Sequence, residues 1–133
     1  MIHLDTSVLI DALTGSRRSA PALRRFFDQA ERVVLSTLVL YEWRRGPRSD
    51  AEILHQEELF PAEQAQPFGP REAAVAAELY RSVSRPRDRE FDLAVAACAL
   101  TSGAMLWTLN RADFGDIPGL TVIDAQAACS SPE

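Results

Sequence analysis

Four acidic residues in separate parts of the chain occupy positions where an apolar or a turn residue is expected: Asp5, Glu42, Asp92 and Asp113. The first of them, Asp5, follows a short apolar stretch at residues 2–4 and precedes a helical pattern at residues 6–13. An Asp before a helix is a favoured cap worth about 1 kcal/mol. Taken alone, Asp5 is therefore explained as well by capping as by chemistry.

Glu42 continues an apolar stripe instead of a solvent face. In the segment TLVLYEWRRG it shares a helical face with Leu38 and Val39 because residues three and four apart are neighbours on a helix. A structural alternative is an ion pair with Arg45, one turn further on, which is worth only roughly 0.2–0.5 kcal/mol at a surface. Such a pair gives little reason to place an acid there.

Asp92 is the strongest of these anomalies. In REFDLAVAACAL its predicted helical neighbours are small and apolar, and it lies about a turn inside the predicted helix. A lone buried carboxylate costs several kcal/mol unless a cation neutralises it. Arg89 is the structural alternative as that cation, and a metal ion is favoured over it because several acids share the pattern.

The fourth of these acids, Asp113, and a nearby fifth, Asp116, follow an apolar strand pattern in the segment TLNRADFGDIPG. Asp116 precedes Ile-Pro-Gly and is typical of a turn former. Asp113 follows a strand that is predicted to neighbour the first one, where Thr108 and Asn110 add hydrogen-bonding groups. Which of the two acids belongs with Asp5 is left open by the sequence.

Acids that converge on one edge of a sheet favour a metal site. Clustered carboxylates raise one another's pKa unless divalent cations neutralise them. Oxygen ligands select hard cations, so Mg²⁺ is predicted, with Mn²⁺ as a substitute.

Composition limits the class of protein. The chain has 133 residues, which predicts one domain over residues 1–128 and a flexible tail over residues 129–133. All 14 basic residues are Arg, and the absence of Lys argues against phosphate-binding loops and receiver domains, which need one. The net charge of -5 argues against a passive nucleic-acid binder.

No apolar run reaches the ~18 residues of a membrane span, and no secretory signal is recognisable, so a cytoplasmic location is expected.

Short apolar strand patterns alternate with helical patterns along the chain. Strands are predicted at residues 2–4, 33–35, 66–68, 104–108 and 120–123, and helices at residues 6–13, 21–30, 37–45, 50–60, 71–83 and 89–102. Continuous apolar strands that alternate with helices indicate a parallel α/β sheet with helices on both faces. Ligands bind such sheets beyond the carboxyl ends of the strands, which is where Asp5 lies.

Four segments in this order and spacing, LDTSVLID, STLVLYEWRRG, FDLAVAACA and LWTLNRADFGDIPGL, resemble the PIN-domain family. More narrowly, they resemble VapC-type toxins of bacterial toxin–antitoxin pairs. The resemblance implies a central parallel sheet of five strands in the order 3-2-1-4-5. It also implies a set of catalytic residues, some of which are metal ligands, and a set of supporting polar groups around them. The catalytic set is Asp5, Glu42, Asp92 and Asp113; the metal ligands are Asp5, Asp92 and Asp113; the supporting groups are Thr6, Thr108, Asn110 and Asp116.

The activity that this resemblance implies is an endoribonuclease in which water activated by Mg²⁺ hydrolyses an RNA phosphodiester. Three arginines before Asp92 are predicted either to contact RNA phosphates or to be a solvated helix start: Arg85, Arg87 and Arg89. The implied partners are RNA, a cognate VapB-type antitoxin over the site and a second copy of the chain. Two other functions compete with this one: a phosphotransfer domain, which lacks its Lys and a second Asp beside Asp5, and a catalytically silent PIN-like binding module.

Overall fold

The computed structural model describes residues 1–124, so the predicted tail at residues 129–133 lies outside the described residues. The strands are β1 (Ile2–Leu4), β2 (Val33–Val34), β3 (Met105–Trp107) and β4 (Val122–Ile123). The α-helices are α1 (Thr6–Leu13), α2 (Ala20–Asp28), α3 (Thr37–Arg45), α4 (Asp50–Leu59), α5 (Pro70–Ser82) and α6 (Glu90–Thr101). Short 3₁₀ helices cover Ala62–Gln64 and Arg111–Asp113.

The four strands form one parallel sheet in the order β2-β1-β3-β4. The predicted α/β class and parallel pairing are therefore confirmed. The first strand lies between β2 and β3, although about a hundred residues separate β1 from β3 in sequence. That arrangement brings the carboxyl end of β1 next to the carboxyl end of β3, which is where the site forms.

The prediction of five strands was wrong, because the segment at residues 66–68 forms only an isolated parallel bridge between Gln66 and Ser36. The Gln66 N–H donates to the carbonyl oxygen of Leu35 at 2.9 Å, and its own carbonyl accepts from the N–H of Thr37 at 2.8 Å. The pairing ends there because α3 begins at Thr37, and the N–H of Phe68, the next one that would face β2, donates to Oγ1 of Thr37 at 3.1 Å and not to a backbone carbonyl. The order 3-2-1-4-5 thus loses its first member, and the remaining order agrees with the prediction.

The helices form two groups. α1 contacts α2, α3 and α4, whereas α5 packs mainly on α6. α6 also contacts β1 and β3, and a run of small buried residues on it, from Val95 to Ala99, permits this close approach. As a result the start of α6, which carries Asp92, lies near the carboxyl end of β1.

The core consists of apolar side chains from both groups and the sheet, and its largest fully buried members are Trp43, Trp107 and Phe114. Phe26 packs edge-on against Trp107, with ring centroids 5.2 Å apart. Ser36 starts α3, because its hydroxyl accepts a hydrogen bond from the N–H of Val39 at 3.2 Å. Among the helices of residues 1–124, none has both the length and the apolar character to span a membrane.

Candidate functional site

Asp5 lies at the carboxyl end of β1, where its backbone N–H donates to the carbonyl oxygen of Trp107 at 2.9 Å. The residue is only 6% exposed. Although Asp5 precedes α1, its carboxylate makes no capping bond to that helix. One oxygen, Oδ2, instead accepts from the hydroxyls of Ser7 and Thr108, each at 2.8 Å. Burial raises the pKa of Asp5 above its ordinary value, and these two hydroxyls oppose the rise.

The hydroxyls that hold Asp5 also connect α1 to the loop after β3. Thr108 is fully buried, and its Oγ1 accepts from the N–H of Asn110 at 3.0 Å. The Oγ of Ser7 accepts from the N–H of Leu109 at 3.1 Å. Ser7 was missed as a site residue from the sequence. The signal for it was its place two residues after Asp5, which is within reach of that carboxylate.

An open cleft of about 520 Å³ lies over this edge of the sheet. Its lining brings together most of the predicted acids and polar groups, and adds two arginines and a serine that were not predicted. The lining residues are Asp5, Thr6, Ser7, Ile10, Glu42, Arg45, Gly46, Arg48, Asp92 and Asn110.

Asp92 is the third residue of α6, because the helix begins at Glu90 and not at residue 89. A helix N-terminus favours a carboxylate by about 0.3–1 kcal/mol. The pKa of Asp92 nevertheless rises from 3.8 to about 6. Burial is the largest cause, followed by the negative charges of Asp5, Asp113 and Glu42. Repulsion and burial thus outweigh the helix start, and the attraction of Arg89 offsets only a small part of them.

Glu42 projects into the cleft from α3. Its Oε2 lies 3.5 Å from Nη2 of Arg45, a pair in which both side chains are partly exposed. The ion pair considered from the sequence therefore forms, at a distance and exposure that make it weak. It leaves the carboxylate close enough to raise the pKa of Asp92.

The two late acids have different surroundings. Asp116 forms a two-pronged ion pair with Arg89, with its oxygens at 2.6 and 2.9 Å from the guanidinium nitrogens, and this bonding lowers the pKa of Asp116. Arg89 also donates to the backbone carbonyl of Asp113 at 2.9 Å. The exposed side chain of Asp113 acts on Asp92 through its charge. The charge of Asp113 thus acts on Asp92, whereas Asp116 is engaged by Arg89.

Two of the predicted RNA contacts, Arg85 and Arg87, are exposed and lie outside the cleft lining. Arg89 is largely covered, with a side chain only 19% exposed beside Asp116. Their contact with RNA stays a prediction.

The donor set suits a hard cation that keeps part of its water shell. Within residues 1–124 no three His, Cys, Asp or Glu side chains are grouped tightly enough to hold a metal ion by themselves. Mg²⁺ is commonly bound through one or two carboxylates with water and substrate oxygens completing its shell, so an open cleft is compatible with it. The buried Oγ1 of Thr6 lines this cleft and has no hydrogen-bond partner. In the same described part, no Arg side chain forms an ion pair with Asp5 or Asp92.

Comparison with known proteins identifies the class to which this fold and acidic cleft belong. The model of the PIN-domain family matches residues 2–120, and the chain belongs to that family. The predicted PIN-domain resemblance is thereby confirmed. No curated protein is significantly similar to it in sequence.

Solved structures with the same fold include toxin–antitoxin complexes. One is DNA-bound VapBC from Salmonella typhimurium, with a TM-score of 0.75, 18% identity, and coverage of 93% of this chain and 97% of that one. A second is FitAcB from Neisseria gonorrhoeae, with a TM-score of 0.71, 22% identity, and coverage of 95% and 99%. A third is VapBC-5 from Mycobacterium tuberculosis, with a TM-score of 0.57, 26% identity, and coverage of 92% and 94%.

The raised pKa of Asp92 predicts that Asp92→Asn stabilises the metal-free protein above about pH 7. The folded pKa of about 6 exceeds the ordinary 3.8, so the folded state binds the proton more tightly, and the charged side chain lowers stability as the pH rises through this window. This rise in the pKa corresponds to a change of at most about 3 kcal/mol in the free energy of unfolding. Solvent screening of the half-buried group reduces that change to roughly 1–2 kcal/mol. Urea unfolding at several pH values, with metal removed, measures the difference.

The gain should disappear below about pH 3, where Asp92 is protonated in both states. Glu90→Gln is the matched control, because Glu90 is an exposed acid in the same turn of α6 and should give no such gain. A loss of stability in Asp92→Asn at neutral pH would instead mean that the carboxylate has a cationic partner in the protein.

Proposed function

We propose that this chain is a divalent-metal-dependent endoribonuclease and the toxin of a toxin–antitoxin pair. The observation that carries the proposal is the joint placement of Asp5, Glu42 and Asp92 around one open cleft, with the charge of Asp113 close to Asp92. Membership of the PIN-domain family supports nuclease activity, since PIN domains are generally metal-dependent nucleases. The VapBC and FitAB complexes of the same fold support the toxin role.

Asp5, Asp92 and Asp113 are the residues proposed to hold the ion. When bound, Mg²⁺ or Mn²⁺ supplies a Lewis acid that activates water and neutralises charge on the phosphate. The protein contributes orientation: the hydroxyls of Ser7 and Thr108 fix the carboxylate of Asp5 through its Oδ2. Fixed ligands reduce the reorganisation that the reaction requires.

The remaining polar groups of the cleft are proposed to place water and the RNA strand. Glu42 projects into the cleft and is proposed to accept a hydrogen bond from the attacking water. The unpartnered hydroxyl of Thr6 is a second group that can hold a water there. Asn110 lines the loop side of the cleft, where its amide can donate to a phosphate or ribose oxygen.

The metal and the activity are tested together. Mn²⁺ titration by calorimetry should show binding that Asp5→Ala and Asp92→Asn each weaken at least about tenfold. The same substitutions should abolish cleavage of a labelled single-stranded RNA in Mg²⁺, because removal of a ligand leaves the activating ion misplaced. Glu78→Gln, an exposed acid on α5, is the control and should keep both properties.

The outcomes distinguish a nuclease from a binding module. Binding of Mn²⁺ that Asp92→Asn leaves unchanged contradicts the assigned ligands. Metal binding without RNA cleavage by the unaltered chain would instead favour the catalytically silent PIN module.

The partner is proposed to be a small antitoxin that covers the cleft and brings a cation into it. A cleft lined by three carboxylates attracts an Arg side chain, whose planar fork pairs bidentately with a carboxylate. A separate groove of about 320 Å³ between α1, α2 and α4 offers apolar contacts through Leu13, Leu23, Phe27 and Leu59. Apolar residues that flank the inserted Arg are proposed to pack there. A homodimer, as implied by the sequence resemblance, remains part of this proposal.

An inhibition assay tests the inserted cation. The antitoxin, expected as the product of a short neighbouring gene, is mixed with the toxin after each tail Arg is changed to Ala. One such change should restore RNase activity, because truncation of a buried, paired charge costs about 2–5 kcal/mol of binding. Phe27→Ser in the toxin should weaken inhibition without lowering the activity of the free enzyme. Full inhibition by every single-Arg variant would show that the antitoxin acts by covering the site alone.

A further inference from the structure

Arg48 lies in the connection between α3 and α4 and lines the same cleft as Asp5 and Asp92. Its guanidinium carbon is 4.3 Å from the centroid of the Trp43 ring, over the ring face. Its Nε is buried and has no hydrogen-bond partner. A strongly polar group is thus held at the wall of the cleft with hydrogen-bonding capacity unused.

The position of this guanidinium is set by its surroundings. Trp43 is fully buried in the core, so the ring beneath Arg48 is a rigid platform, and cation–π attraction favours the stacked arrangement. Gly46 provides the space beside it, because a Cβ on that residue would lie 2.8 Å from Nη2 of Arg48. The φ of Gly46 is -79°, an ordinary value, so glycine matters here only through the room it leaves for the Arg48 guanidinium, which a Cβ would displace.

The charge of Arg48 has no carboxylate partner in the described part of the chain. Other arginines near the site are paired: Arg45 with Glu42 at 3.5 Å, Arg44 with Glu57 at 2.6 Å, and Arg89 with Asp116 at 2.6 Å. Among the described residues, no carboxylate lies within ion-pair distance of Arg48. Of the two arginines in the cleft lining, Arg48 is therefore the one whose charge no described carboxylate pairs, whereas Arg45 has its weak pair with Glu42.

We propose that Arg48 binds a phosphate group of the RNA strand that enters the cleft. This inference rests on the proposed endoribonuclease function and adds a substrate contact to it. A polyanion that approaches a cleft rich in carboxylates needs a cation on the protein, and a guanidinium with free edge N–H groups suits phosphate oxygens. The stacked face keeps the edge oriented, so less side-chain freedom is lost on binding. Gly46 is assigned a supporting role, because the absence of a Cβ leaves room for the edge of the Arg48 guanidinium.

The competing explanation is that Arg48 only covers Trp43. The two explanations are distinguished by substitutions that keep the packing of residue 48 on Trp43 but remove its charge, or keep its charge but change its shape. Arg48→Met keeps an unbranched side chain that can contact the ring and removes the charge, whereas Arg48→Lys keeps the charge and loses the planar fork. Arg71→Ala is the charge-matched control, because Arg71 is exposed at the start of α5 and lies outside the cleft.

The assay measures kcat/KM for a labelled single-stranded RNA of mixed sequence, in Mg²⁺ and over a series of NaCl concentrations. Arg48→Ala and Arg48→Met should each lower kcat/KM about tenfold, mainly through KM. Both should also reduce the slope of log kcat/KM against log salt by about 0.7 to 1, the value for one lost phosphate contact. Arg48→Lys should restore the slope, and Gly46→Ala should lower kcat/KM while the melting temperature stays close to that of the unaltered protein.

Each negative result contradicts a different statement. If the unaltered chain cleaves RNA and Arg48→Met keeps its kcat/KM within about twofold and its salt slope, the assignment of Arg48 is wrong and the proposed function stands. The assignment of Arg48 is equally wrong if Arg71→Ala changes the slope as much as Arg48→Ala does. If the unaltered chain cleaves no RNA under these conditions, the proposed function fails, and the role of Arg48 fails with it.

Discussion

Asp92 lies within electrostatic range of three other acids, Asp5, Glu42 and Asp113, at the partly buried start of α6. The repulsion among these carboxylates and their removal from water are unfavourable, as the raised pKa values of Asp92 and Asp5 indicate. The guanidinium whose charge opposes the rise in the pKa of Asp92, that of Arg89, is bonded to Asp116. Unfavourable electrostatics of this kind are typical of functional sites, where a reactive group is held in place and the protein is less stable as a result. A divalent cation is the ligand that would relieve the repulsion.

The sheet order makes this arrangement possible. Because β1 lies beside β3, the carboxyl ends of strands from the two ends of the chain meet at one edge. The hydroxyl of Thr108 then reaches Asp5 across 103 residues of sequence. Small residues on α6 bring Asp92 to the same edge. The acids come from separate helices and strands, so each is held by packing of its own element, which is a more exact support than a single loop provides.

Local patterns carried most of the information about the fold. The helices at Thr6–Leu13 and Thr37–Arg45 were predicted with their observed bounds, since apolar periodicity and the cap at Ser36 define them. The segment at residues 66–68 was predicted as an edge strand, but it pairs only through Gln66, because the N–H of Phe68 donates to the side chain of Thr37 and α3 begins at Thr37. Strands that pair over only one or two residues depend more on tertiary contacts than on the β-propensity of their residues.

The acids of the site could be predicted because each breaks a pattern, Asp92 above all. The partners of those acids could not, because they are distant in sequence. The pairing of Arg89 with Asp116 spans 27 residues, and only the folded chain shows that it removes Arg89 from Asp92. No sequence pattern singles out Arg48, because its relation to Trp43 and the cleft depends on how the connection after α3 folds back.

The proposed activity depends above all on the acidic cleft being a site for a hard divalent cation. Anomalous diffraction from crystals soaked in Mn²⁺ tests this property most directly, because the ion is located without reference to activity. We expect a peak within coordinating distance, about 2–2.5 Å, of carboxylate oxygens of both Asp5 and Asp92. A peak at another surface only, or none in the cleft when the carboxylates are ionised, would contradict the metal site.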